Sequence, residues 1–334
     1  MEKEFLTKTS RSVTLNVTGG KIDSFREQEE TTGTVRVYEN GCIGVAGCLG
    51  TPDEAALEKK AVKALALGIP YPCRLDGALE REEAHDEEII PVSRFIPTMQ
   101  RFLDRLGEMC PRFAFSNKIS LNDERAEYRN SQGRHLVSSG RSIDISLLAQ
   151  NRGSGNLFDT GLSYEGNCFD EDGLLAQFKK EYDAFYTPAD IEPGRYPVVM
   201  TAYGLFGTFL QHFVAEMYVS GASLLSGKLG QKVFSDNLSL RNDMNPATNP
   251  GARFFDEEGC VAPGLRPALI EKGTLTGLLT TKKSAEQFGL PNLGTAAAAY
   301  DGVPSRGFNQ FYVDPTAQTL RELSLIHISE PTRH

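Results

Sequence analysis

The chain has 334 residues, 40% hydrophobic and 24% charged, a balance that suits globular domains with packed cores and excludes a wholly disordered chain. Its formal net charge of −9 argues against a general nucleic-acid surface, because phosphate binding needs a local excess of Lys and Arg that no stretch supplies. No run of roughly eighteen apolar residues offers a membrane-spanning helix, and the opening MEKEFLTKTSRS lacks the apolar centre of a secretory signal. The expected compartment is therefore the cytoplasm, where six scattered Cys without a CxxC pair read as free thiols.

The first predicted elements are strands. Val13, Leu15 and Val17 alternate with polar residues before Gly19-Gly20; Val35 and Val37 precede the hairpin signal Asn40-Gly41, and Ile43 and Val45 resume the alternation. Thr51-Pro52-Asp53-Glu54 then suggests a helix start, with Thr51 as cap, Pro52 at the first helical position and Glu54 reaching back. That helix is expected to end near Leu67. The acidic run Glu80–Glu88 reads as a solvated connector or helix face. A second helical pattern runs from Ile96 to Met109, with Met99, Phe102, Leu103 and Leu106 on one side.

From Phe113 to Gln150 strands return, reversing near Asn130–Gly133, and Leu174–Phe185 reads as a helix. The Pro and Gly of TPADIEPGRYP mark a boundary near 187–197. Beyond it, Pro197–Met200 is expected as a short strand and Leu205–Val219 as a helix, followed by Gly-punctuated segments such as LIEKGTLTGLLT. These elements lack a regular strand and crossover-helix alternation, so the expected class is α+β: an N-terminal α/β region with antiparallel strands, then a β-rich C-terminal domain with one prominent helix. The expected divisions are 1–75, 76–186, 190–322 and a tail at 323–334. Leu323–Arg333 back-translates into a transposase-type sequencing adapter read in frame, so the natural sequence is expected to leave this reading near Glu322, inside a domain that continues. His327 and His334 then drop out, leaving His85, His135 and His212.

Candidate chemistry is sparse. There is no G-x-S-x-G, H-E-x-x-H, P-loop or G-x-G-x-x-G motif. A carboxylate pair such as Asp144 and Glu165 can be drawn in any chain with 44 acidic residues and carries no argument. On the Leu205–Val219 helix, Phe206, Leu210, Phe213, Val214 and Met217 form a core-facing stripe, and His212 and Glu216 lie one turn apart beside it. Two ligands do not make a zinc site, so a metal reading of His212 and Glu216 would need a carboxylate such as Asp256, Glu257 or Glu258. The stretch FFDEEG, Phe254–Gly259, reads either as an acidic turn or as a pocket edge contacting a cation.

Several separated motifs occur together: Ser226-Gly227-Lys228-Leu229-Gly230, a strand from Val233 to Leu240, Phe255-Asp256-Glu257-Glu258-Gly259, and Ile270-Glu271-Lys272-Gly273 followed by Leu278. With Ile191–Met200 and Asn130–Arg134, they resemble the TldD/PmbA (TldE) family, also called modulator-of-gyrase proteins. The resemblance implies that TldD-like members are zinc metallopeptidases, with two His and a general-base Glu on an H-E-x-x-x-H helix and a Cys ligand farther on. Their TldE/PmbA-like partners lack that motif. Here the equivalent segment, Phe206–Glu216, has neither a His-Glu pair nor a second His, so no ligand or base carries over. The expectation is a PmbA/TldE-like subunit of a peptidase system, binding no cofactor itself. Its expected associations are a TldD-like zinc subunit or a second copy, and peptide substrate. The residues singled out as pocket candidates are His212, Glu216, Phe255, Asp256, Glu257 and Glu258. The enzyme alternative is a rearranged site with Glu216 as catalytic base and His212, Glu216 and Asp256 as ligands; a DNA-topology regulator is disfavoured by the charge.

Overall fold

The computed structural model describes residues 1–316 except 157–158, 188–189, 191, 197–203, 205 and 309–310. Alternating apolar residues build long strands. β1 (Glu2–Thr18), β2 (Lys21–Glu39), β3 (Cys42–Leu49), β4 (Ile69–Pro70), β5 (Leu79–His85), β6 (Phe113–Asn130), β7 (Arg134–Asn151) and β8 (Thr160–Gly166) form one sheet. Its order is β4-β3-β2-β1-β6-β7-β5, and β8 also pairs with β7, beyond the end of β5. All pairings are antiparallel except β5 with β7. Strands from 1–75 and from 76–186 thus share a single sheet.

Because successive strand residues face opposite ways, the sheet serves two partners. Val13, Leu15, Val17, Ile119, Ile143, Ile145 and Leu147 point into a core with α2 (Val92–Met109) and α3 (Glu171–Phe185). The stripe expected on α2 is buried and begins one turn earlier, at Phe95. Burial of each of its five large apolar side chains stabilises by ~1.5–3 kcal/mol. Nearby, Val35 and Val37 pack on Leu57 and Ala61 of α1 (Glu54–Ala64). The alternate residues Leu6, Ala126, Tyr128 and Leu136 face the other way, onto Phe254 and Phe255 of the C-terminal region.

Two local expectations shift. The cap of α1 is Asp53, whose Oδ1 accepts the Ala56 amide N–H at 3.0 Å, rather than Thr51. The acidic run is no connector or helix over Leu79–His85: it is β5, parallel to β7. Alternation makes this tolerable, since Glu80 and Glu82 face water while Arg81 pairs with Glu83 and lies over the Phe254 ring.

The C-terminal region has a small sheet, β11-β10-β9-β14, of β9 (Leu240–Asn242), β10 (Ala268–Glu271), β11 (Thr274–Leu275) and β14 (Phe311–Val313). Beside it lie the pair β12 (Ala296–Ala297) and β13 (Ser305–Arg306) and the short helices α4 (Ala215–Val219) and α5 (Lys282–Phe288). The strand expected at Val233–Leu240 begins only at Leu240. The architecture is α+β, with an N-terminal part rich in antiparallel strands and a β-rich C-terminal part. The strand expected at Pro197–Met200 and the segment 323–334 lie outside the described residues.

Candidate functional site

The helix expected over Leu205–Val219 is interrupted. A 3-10 turn spans Gly207–Phe213, Val214 is extended (φ −72°, ψ 127°), and α4 follows. Val214 is drawn out because it bridges Leu279: the Leu279 N–H donates to Phe213 O at 2.7 Å and the Ala215 N–H to Leu279 O at 3.1 Å. A β-branched residue gains more from that strand-like pairing than from continuing the helix. His212 and Glu216 therefore lie on different elements, and Glu216 is exposed.

His212 is half-buried, and its Nδ1 accepts the Leu224 amide N–H at 3.2 Å. With Nδ1 occupied as acceptor, the neutral ring carries its proton on Nε2 and offers a donor, not a metal-binding lone pair. The Ser223 hydroxyl donates to His212 O at 2.7 Å, fixing the same loop to the 3-10 turn. Around this histidine lies an apolar hollow of about 430 Å³ lined by Phe206, Phe209, Phe213, Leu224 and Phe234. At its mouth Phe209 is 43% and Leu224 65% exposed, so the hollow presents apolar surface to the outside.

The acidic turn is the opposite kind of place. Phe255, Asp256, Glu257 and Glu258 are all buried, and each of the three carboxylates has its own set of partners. Asp256 folds the turn: Oδ1 accepts the N–H groups of Glu258 and Cys260, and Oδ2 that of Ala296, each at 2.9 Å. Glu257 pairs with Lys8 at 3.0 Å and with Arg253. Burial would raise its carboxyl, but Arg253 and Lys8 outweigh burial and hold it below the usual range. Glu258 accepts the Tyr71 hydroxyl at 2.7 Å and the Lys282 amide N–H at 2.8 Å. Burial, with added repulsion from Asp256, pushes its carboxyl above the usual range.

The turn's main chain is held as firmly. Three successive carbonyls each accept from a cation: Glu257 O from Arg36 at 2.7 Å, Glu258 O from the Lys282 ammonium at 2.5 Å, and Gly259 O from Arg134 at 2.8 Å. Arg36 also binds Glu4 at 2.9 Å; Glu4 takes the hydroxyls of Tyr38 and Tyr128 as well. Lys282 and Arg134 converge on Asp76 at 3.2 and 3.3 Å. Gly259 has φ +68°, and a Cβ there would sit 2.2 Å from the Tyr128 ring, so only glycine fits. Asp256 shapes the turn within the C-terminal region, while Glu257, Glu258 and the turn's carbonyls join it to the N-terminal part through Lys8, Tyr71, Arg36 and Arg134.

Sequence reasoning missed Glu4, Arg36, Tyr71 and Lys282. The available signal was charge inside apolar alternation: Arg36 stands between Val35 and Val37, a place for a buried charge only if something opposite pairs it. Asp144 and Glu165 do meet, as direct partners across β7 and β8. Among the described residues no group of three or more His, Cys, Asp and Glu side chains could hold a metal ion, so His212, Glu216 and Asp256 form no ligand set, and the donors present do not fit a zinc ion. All six Cys are free thiols. No helix among the described residues is long and apolar enough to cross a membrane.

Residues 193–326 match the family described as the PmbA/TldA metallopeptidase C-terminal domain. A protein of Methanothermobacter thermautotrophicus named "Metalloprotease" is 31% identical over 136 residues, which cover 39% of this chain and 29% of that protein. A second so named, from Archaeoglobus fulgidus, is 24% identical over 342 residues, covering 93% of this chain and 74% of that protein. The crystal structure of TldE from Thermococcus kodakarensis superposes with a TM-score of 0.78 at 19% identity, covering 96% of this chain and 76% of that one. The chain thus has the fold of that TldE structure, and its C-terminal part is homologous to the PmbA/TldA metallopeptidase C-terminal domain.

Proposed function

We infer that this chain belongs to the TldD/PmbA family as a PmbA/TldE-like subunit of a zinc-dependent peptidase system, in which a TldD-like subunit supplies the zinc and the reacting groups. One observation carries the reading. Inside the stretch that matches a metallopeptidase domain, Phe206–Glu216 contains a single His and no His-Glu pair, and that His spends Nδ1 on the Leu224 amide. The residue that would stand nearest to metal chemistry is committed to holding a loop. The apolar hollow beside it, with Phe209 and Leu224 at its mouth, is suited to take a side chain of an extended peptide.

The test is to purify the chain alone and together with an H-E-x-x-x-H subunit, and to measure bound zinc and cleavage of an unfolded peptide. Cleavage and zinc are expected only in the combined preparation, with His212→Ala leaving the zinc content unchanged. Stoichiometric zinc together with cleavage by the isolated chain would overturn the reading.

A further inference from the structure

On the sheet face that meets the C-terminal region, a polar groove of about 410 Å³ opens beside the acidic turn, a volume within the range of small-ligand sites. Strand register gives it two unlike ends. Thr32, Lys8 and Ala126 are mutual partners across β2, β1 and β6; two residues further along, Glu30, Ser10 and Glu124 form the next row on the same face.

The first row is walled by the loop carrying Arg253 and is rich in donors. Lys8 and Arg253 converge on one oxygen of Glu257, leaving one net positive charge. Thr32 is buried, and its hydroxyl oxygen finds no hydrogen-bond partner among the described residues; neither does Nη1 of Arg253. Leaving such groups unpaired costs ~1–3 kcal/mol each, a penalty that a bound acceptor would relieve. The second row carries two exposed carboxylates, Glu30 and Glu124, that make no ion pair among the described residues. Two residues along a strand separate the rows by about 7 Å, roughly the length of two residues of extended peptide.

We propose that this groove binds a short peptide by both free ends, its carboxylate at Lys8, Arg253 and Thr32 and its ammonium group at Glu30 and Glu124. The ligand class is a zwitterionic dipeptide or a slightly longer peptide, as peptide-bond hydrolysis would release. The inference extends the peptide-handling reading, but its test needs no zinc subunit, so the two fail separately: loss of partner-dependent cleavage leaves the groove intact, and loss of dipeptide binding leaves the partner reading intact.

Calorimetric titration of the chain at low ionic strength would use alanyl-alanine, its N-acetyl derivative, its C-terminal amide, and acetate. Alanyl-alanine is expected to bind, and each capped form to bind at least about tenfold more weakly. Thr32→Val should weaken alanyl-alanine and the N-acetyl form, and Thr32→Ser should restore both. Glu30→Gln with Glu124→Gln should weaken alanyl-alanine while leaving the N-acetyl form unchanged. No measurable binding of alanyl-alanine, acetate binding as tightly as alanyl-alanine, equal affinity for the capped forms, or unchanged affinity in both variants would overturn the proposal.

Discussion

The acidic turn and the His212 segment both attract attention in the sequence, and the fold treats them in opposite ways. At the turn, buried carboxylates and main-chain carbonyls are held together by cations drawn from both parts of the chain: Lys8 and Arg253 on the Glu257 carboxylate, and Arg36, Lys282 and Arg134 on the carbonyls of 257–259. At His212 the surroundings are apolar and partly open, and the one imidazole holds a backbone amide. The contrast teaches that clustered ionisable residues are no sign of chemistry by themselves. Buried charges must be paired, so a dense cluster marks a junction at least as readily as a catalytic site.

The largest effect that would break this contrast lies at Arg36. Arg36→Met should cost ~3–5 kcal/mol in urea unfolding, because Glu4 is left as a buried charge without its cation. Since Nε and Nη2 of Arg36 are themselves without partners among the described residues, Glu4→Leu combined with Arg36→Met should cost less than Arg36→Met alone. A fully additive pair would show that the junction is not the coupled network described. Next, Gly259→Ala should lose ~2–3 kcal/mol through its left-handed backbone and the Tyr128 ring, with Tyr128→Leu recovering part of that loss.

A smaller effect is a pH slope. A carboxyl whose folded pKa lies above its unfolded value keeps its proton longer in the fold, so its contribution is full below the ordinary Glu value of 4.5 and is lost as pH rises through the raised one. Glu258→Gln should therefore flatten the fall in urea midpoint above that pH, relative to the parent chain. An unchanged slope would remove Glu258 from the account. The smallest expected effect is at His212. His212→Ala gives up one acceptor in a partly open loop, at ~0.5–1.5 kcal/mol, whereas a loss as large as that at Arg36 would make the two regions alike.

Periodicity made the long strands and the α2 stripe legible, because a half-buried strand or helix must repeat its apolar residues at the period of its backbone. It also led to the α+β class. The same logic failed at Val214, where the apolar spacing suits a helix but pairing with Leu279, distant in sequence, takes the backbone elsewhere. It failed at Leu79–His85, whose charges read as solvated until β7 supplied a partner strand.

What the sequence determined alone was local: the period of each element, the turn at Asn40-Gly41, and the want of a His-Glu pair in Phe206–Glu216. Only the tertiary structure decided what the charged residues do. Glu4 and Glu258 are 254 positions apart, yet Tyr38, Tyr71, Tyr128, Arg36 and Lys282 join them into one buried junction. A charge's role depends on what lies within a few ångströms of it, and in a sheet whose alternate residues face two different layers, that neighbourhood is set by long-range pairing.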